Sequence, residues 1–130
     1  MGLFDLLKPK KNELTFIQSS NYRGFKKFSL VNYEHKPSED GLKKLHEITH
    51  DFNLQYRTIR LVDFVYEDKH HGVAVYVDKY QVGTYFGAET NELSNAMRAG
   101  KISAAYVRVD TFKKMGKDTF GALLFVMMED

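Results

Sequence analysis

The sequence predicts an α+β domain, mostly β, in which a small curled sheet or an OB-like barrel carries two helices. Five or six segments are rich in aromatic and β-branched residues, which is typical of strands. Two other segments combine helix-capping residues with an apolar face, which is typical of amphipathic helices. A length of 130 residues with 43% hydrophobic and 28% charged side chains predicts one folded domain with a core of its own.

The first half of this domain is predicted to alternate strand, helix and strand. Residues 25–33, FKKFSLVNY, have the composition of a strand. Pro37 and Ser38 then open a helix that extends to about His50, with Ser38 as its N-cap. In residues 54–66, LQYRTIRLVDFVY, alternating side chains predict one long strand.

The second half is predicted to contain two hairpins that flank a second helix. The segments VAVYV and QVGTYF pair around Asp78 and Lys79. Thr90 is expected to cap the helix ETNELSNAMRAG, and Gly100 to end it. The strands ISAAYVRVDTF and FGALLFVMM follow, joined by a turn near Gly116.

Residues 1–24 are predicted to be an N-terminal appendage, with residues 25–130 forming the β domain. The appendage starts with a short apolar patch that Pro9 ends, made of Leu3, Phe4, Leu6 and Leu7. We interpret this patch as either a loosely held terminus or a short docking helix for a protein partner or a membrane surface.

Bulk composition narrows the functional classes. Cysteine is absent, so neither disulfides nor thiolate metal sites are expected, and a cytoplasmic location fits. No apolar run reaches the length of a membrane span. The net charge of +2 permits contact with nucleic acid without demanding it.

A literal H-E-x-x-H motif at His46, Glu47 and His50 raises the hypothesis of a zinc-dependent hydrolase. Helical geometry argues for a solvated flank instead, because the buried face is predicted to consist of Leu42, Leu45, Ile48 and Phe52. The zinc site, with His46 and His50 as ligands, is kept as the minor alternative. No cofactor is expected.

Tyrosines interleave with basic residues on the predicted strands. Bases stack on aromatic faces while lysine and arginine neutralise phosphates, so a curved sheet that presents both can bind single strands. Arg57, Arg60 and Arg108 are the predicted phosphate contacts.

The segment GVAVYVDKYQVGTYFGAETNELSNAMRAGKISAAYV resembles the HIRAN domain family. The matching features are the apolar strand AVYV, the step Val82-Gly83, Leu93 in the helix and Gly100 before the next strand. The strand FSLVNY, a helix and a long strand precede them in the same order, so the resemblance covers roughly residues 26 to 128.

This resemblance implies an OB-like domain that captures single-stranded DNA by aromatic stacking and polar contacts. It places Tyr33 as the stacking ring and Asp68 in a loop that lines the nucleotide pocket. His70 and His71 stand where the family has tyrosine and aspartate, and Thr84 follows the Val82-Gly83 step.

Together these observations predict a bacterial or phage module, without catalysis, that contacts single-stranded or damaged DNA. The alternative is a protein-interaction module on the same fold, which would use the apolar N-terminal segment.

Overall fold

The computed structural model describes residues 13–31, 36–50, 53–66 and 70–129. This part of the chain forms seven strands and two helices, so the predicted α+β, mostly β class is confirmed. Their order is β1 (Glu13–Ile17), β2 (Lys26–Ser29), α1 (Lys36–Thr49), β3 (Thr58–Tyr66), β4 (His70–Val77), β5 (Tyr80–Tyr85), α2 (Thr90–Arg98), β6 (Ile102–Lys114) and β7 (Lys117–Met128). Of the two helices described, neither is long and apolar enough to cross a membrane.

The strands form two antiparallel sheets, and these do not close into the OB-like barrel that was one form of the predicted architecture. One sheet has the order β1-β3-β4-β5, and the other has the order β2-β7-β6. Two short backbone contacts join them. Val31 forms a bridge with Thr84 of β5, and the Ser19 amide donates to the Ala105 carbonyl of β6 at 3.0 Å.

Strand β1 lies within the segment that the sequence assigns to the appendage. It pairs with β3 in a register that runs from Glu13 opposite Val62 to Ile17 opposite Thr58. Leu14 and Phe16 pack against the core, because alternate residues of a strand share one face. Residues 13–17 therefore belong to the folded domain, whereas the apolar patch before Pro9 lies outside the described residues.

The long strand predicted for residues 54–66 begins only at Thr58. The Arg57 amide donates to the Leu54 carbonyl at 2.9 Å, which closes a turn, and Tyr56 within it has φ +67°. A residue with positive φ cannot continue a strand. The turn places residues 53–55 beside β6, where they line a groove.

Helix α1 buries a narrower face than the sequence predicts. Leu42 and Leu45 are fully buried, but Ile48 is 45% exposed, so its predicted place on the buried face is wrong. Thr49 takes that place and donates its hydroxyl to the Leu45 carbonyl at 2.6 Å. Phe52 lies outside the described residues.

Helix α2 ends as predicted but starts differently. Glu89 is the N-cap residue and makes no side-chain capping bond. Thr90, the predicted cap, is the first helical residue, and its hydroxyl donates to the Gly87 carbonyl at 2.7 Å. Gly100, with φ +67°, follows the last turn, in the left-handed conformation that commonly ends helices.

Both predicted hairpins are present. The β4–β5 turn carries Asp78 with φ +54°, and the β6–β7 turn carries Met115 and Gly116 with φ +52° and +79°. The core between the sheets and helices is a cluster of aliphatic and aromatic side chains. Its largest fully buried members include Phe28, Leu42, Leu45, Ile59, Leu61, Leu93 and Leu124.

Candidate nucleic-acid interface

Only part of the nucleotide pocket that the family resemblance implies lies within the described residues. Tyr33 and Asp68 lie outside the described residues. Thr84 is only 1% exposed, and its hydroxyl accepts from Gln81 Nε2 at 3.2 Å, so it presents no surface to a ligand. The backbone of His70 pairs with Tyr66 at the start of β4.

His71 faces a buried carboxylate on the neighbouring strand. Its Nε2 contacts Asp63 Oδ1, while Asp63 Oδ2 accepts from Ser94 Oγ at 2.6 Å and from an Arg98 guanidinium nitrogen at 3.0 Å. His71 Nδ1 lies 3.1 Å from the side-chain oxygen of Asn91. Asp63 therefore links β3 and β4 to helix α2, and both ring nitrogens of His71 face these partners.

Each of the three predicted phosphate-binding arginines has an acidic partner, which for Arg108 is Asp110. Arg57 donates to the Asp78 carboxylate at 2.9 Å. Arg60 lies 4.3 Å above the ring of Tyr76 and 3.3 Å from the Glu13 carboxylate. A guanidinium that already has such a partner gains less from a phosphate, so these contacts do not distinguish one of the three arginines from another.

Lys26, another basic residue of the predicted strands, is bound by the start of helix α2. Its ammonium contacts Glu89 and lies 3.0 Å from a Glu92 carboxylate oxygen. Hydrogen bonding to Glu89, and then to Glu92, raises the pKa of Lys26 above its usual value. The same contact lowers the pKa of Glu89.

The H-E-x-x-H motif occupies the end of α1. Glu47 accepts from Lys44 at 3.4 Å, His46 is half-buried against the ring of Phe120, and His50 is exposed with φ +47°. In the described part of the chain, no group of three or more histidine and carboxylate side chains is placed to hold a metal ion. The zinc site therefore stays a hypothesis from the sequence.

An open groove of about 560 Å³ lies between the segment that follows β1 and strand β6. Residues 18–20 and Tyr22 form one wall, the turn at residues 53–55 forms another, and residues 106–109 of β6 complete the lining. The described lining contains hydroxyl, amide, aromatic and one guanidinium group, and no carboxylate. Such a surface offers stacking faces and hydrogen-bonding groups together with a positive charge.

Gln18, the residue after β1, bonds to the backbone of β6. Its Nε2 donates to the Val107 carbonyl at 3.0 Å, and its Oε1 accepts from the Val107 amide at 3.0 Å. The neighbouring Ser19 amide donates to Ala105. These bonds pair backbone amide and carbonyl groups on the outer edge of β6 at one end of the groove. Without them, an unpaired strand edge would be exposed there.

Three aromatic rings form a cluster beside the groove. Tyr22 stacks on Phe125 with centroids 4.2 Å apart, and it tilts against Tyr106 at 4.8 Å. Phe125 is buried, whereas Tyr22 and Tyr106 are partly exposed and line the groove. Phe125 thus supports Tyr22 from behind and fixes the orientation of the two accessible tyrosines.

Arg108 is the predicted phosphate contact that does lie in the groove. Its side chain is about half exposed, its Nε donates to Asp110 at 3.2 Å, and a terminal nitrogen lies 3.4 Å from the Tyr22 hydroxyl. The hydrogen bond to Asp110 is the main cause that raises the pKa of Arg108. The guanidinium therefore lies beside the hydroxyl end of Tyr22, at the edge of the aromatic cluster.

No family model, no curated protein and no solved structure matches this chain.

Among the residues of the groove, Arg108 is predicted from the sequence, whereas Tyr22, Tyr106 and Gln18 are not. One usable signal is the alternation in β6, which places Tyr106 and Arg108 at the groove and buries Ala105 and Val107 in the core.

Proposed function

We propose that this protein is a nucleic-acid-binding module that contacts single-stranded DNA, without catalysis, through the groove between the segment that follows β1 and strand β6. The observation that carries the proposal is the convergence of Tyr22, Tyr106 and Arg108 on one open surface. A base stacks on a partly exposed tyrosine ring, and a guanidinium at the edge of that ring binds the adjacent phosphate.

The volume of the groove is compatible with binding part of a single strand. A volume of about 560 Å³ is that of a small-ligand site, open on one side. Amide side chains of Asn53 and Gln55 lie along its wall, and they can bond the edges of bases. Stacking is tolerant of sequence because every base has a π-face, so we expect weak base preference. A DNA ligand also agrees with the cytoplasmic location that the sequence predicts.

The HIRAN resemblance supports the same ligand class but would place it in another pocket. Two of the residues it assigns, Tyr33 and Asp68, lie outside the described residues, and Thr84 is buried. The proposal therefore takes its residues from the groove. The protein-interaction alternative depends on the segment before Pro9, which also lies outside the described residues.

A titration of a fluorescently labelled single-stranded oligonucleotide, followed by anisotropy, tests the proposal. We expect binding that weakens as salt rises, with a slope in log K against log salt of about −0.7 for each phosphate contact. Tyr106→Leu should weaken binding by the equivalent of about 1–3 kcal/mol for each base that stacks there, and Tyr106→Phe should retain most of the affinity.

Tyr76→Leu is the matched control, because Tyr76 is a tyrosine of β4 that lies under Arg60, away from the described groove lining. Equal affinities for the wild-type protein, Tyr106→Leu and Tyr76→Leu would remove the groove from the proposal. An oligonucleotide that shows no anisotropy change at low salt would remove nucleic-acid binding altogether.

A further inference from the structure

The β6–β7 hairpin ends in a tip that combines an exposed apolar side chain with lysines. The two strands have 13 and 12 residues and are joined by only two residues, Met115 and Gly116. Met115 is 95% exposed, and Lys113 is exposed beside it. The tip lies six residues beyond Val109 at the end of the groove lining, or about 20 Å along the strand.

The turn itself is strained by its first residue. Met115 has φ +52° and Gly116 has φ +79°, so both central residues are left-handed, as in a type I′ turn. That turn strongly favours Asn-Gly, and a bulky residue in its first position is unusual. The β4–β5 turn of the same chain uses Asp78 at φ +54°, a residue type that tolerates this conformation.

The cross-strand register continues up to this turn. Lys114 is the cross-strand partner of Lys117, and the preceding pair joins Lys113 to Asp118. Met115 is 95% exposed, and a side chain added at Gly116 would meet nothing within 4 Å, so tertiary packing does not compensate for the cost of the turn. Uncompensated local strain is typical of functional sites.

We propose that the hairpin tip binds double-stranded DNA, with Met115 inserted as an apolar wedge between base pairs and the lysines close to the phosphates. Apolar wedges of this kind, methionine among them, unstack base steps while neighbouring basic residues hold the backbone. An anionic membrane is the other surface that attracts lysines. One exposed methionine offers little apolar area for insertion, because membrane attachment depends on the area buried. The tip is separate from the groove, so this proposal does not rest on the single-strand proposal.

The test compares binding of a short labelled DNA duplex to the wild-type protein, Met115→Asn and Lys114→Glu. Met115→Asn supplies the preferred Asn-Gly turn, and Lys114→Glu places opposite charges in register, so both variants should unfold at the same temperature as the wild type or higher. We expect Met115→Asn to weaken duplex binding about tenfold, because the wedge is removed. Lys114→Glu should reduce the magnitude of the salt slope by about 0.9, because one lysine no longer neutralises a phosphate.

Lys101→Glu makes the same charge change at an exposed site outside the hairpin and should alter duplex affinity by less than about twofold, through net charge alone. Tyr106→Leu should weaken single-strand binding and leave duplex binding unchanged, so failure of one proposal is distinguishable from failure of the other. Unchanged duplex binding in Met115→Asn overturns the wedge. Binding to phosphatidylserine vesicles that requires the tip, with no binding to the duplex, overturns the proposal in favour of a membrane contact.

Discussion

The side-chain carboxamide of Gln18 pairs with the backbone of Val107 as a neighbouring strand would, donating to its carbonyl and accepting from its amide, both at 3.0 Å. These two bonds hold the end of β1 against β6. The carboxamide keeps the backbone of β6 paired beside the groove. The same polar side chain therefore stabilises the fold and lines the proposed binding surface.

Replacing Gln18 with alanine should destabilise the protein by about 1–3 kcal/mol, because the half-buried amide and carbonyl of Val107 lose their partners. Urea unfolding followed by circular dichroism measures this change. Ser20→Ala, an exposed position on the same wall, is the control and should change stability by less than about 0.5 kcal/mol. A Gln18→Ala protein as stable as the control would show that the pairing does not hold the strands together.

Asp63 should be the most sensitive polar residue of the described core. Its side chain is 4% exposed and accepts from Ser94 and Arg98 while it contacts His71. Asp63→Ala should cost about 3–5 kcal/mol, because charged hydrogen bonds are removed and their partners stay behind. Ser94→Ala removes only one of these bonds and should cost about 1–3 kcal/mol. Equal stabilities of the two variants in thermal unfolding would contradict the role of Asp63 as the link between β3, β4 and α2.

Gly41 should resist substitution although it lies in a helix. A Cβ built there would stand 2.3 Å from the Gln81 carbonyl oxygen of β5, so Gly41→Ala must displace the helix from the sheet. We expect the free energy of unfolding to fall by about 1–3 kcal/mol, even though alanine favours helices by about 1 kcal/mol over glycine.

Gly100→Ala is the matched control for this change. It has φ +67° and open space around the position of a Cβ, so only the cost of the left-handed backbone applies, about 1 kcal/mol. If Gly41→Ala stabilises the protein in the same urea experiment, the close approach of α1 to β5 is not as described.

The contact between Lys26 and Glu89 predicts a direction for the effect of pH. Because Lys26 lowers the pKa of Glu89 in the folded state, this pair stabilises the fold above the ordinary carboxyl pKa and loses that effect as the pH falls through the lowered value. The contribution should be small and weakened by salt, since both groups are exposed.

Carboxyl NMR titration measures the effect directly. The midpoint of Glu89 should lie below the ordinary value of 4.5, and it should return towards that value in Lys26→Met. A midpoint that Lys26→Met leaves unchanged would show that the contact does not form in solution.

The sequence predicts those structural elements that short, local sequence patterns determine. Alternation and turn chemistry locate the β4–β5 and β6–β7 hairpins, and Gly100 marks the end of α2 at φ +67°. Strand β1 is not predicted, because alternation over only five residues is too short a pattern to identify a strand. Ile48 is misplaced because helical periodicity identifies an apolar face, while the packing of α1 on β5 decides how wide that face is.

The groove is less predictable because its members come from distant parts of the chain. Tyr22 faces it only because the loop after β1 folds over Phe125 of β7. Asn53 and Gln55 reach it through a turn in a segment that the alternation assigns to a strand. Spacing along the sequence carries no information about such contacts, whereas the placement of Tyr106 and Arg108 on one face of β6 follows from it directly.

The most direct test of the central claim is a map of amide chemical shifts during titration with a short single-stranded oligonucleotide. We predict the largest changes at Tyr22, at residues 53–55 and at residues 106–109, with little change on the exposed side of α1. Changes confined to the region of His70 and His71, or no changes at saturating oligonucleotide, would contradict the groove as the binding site.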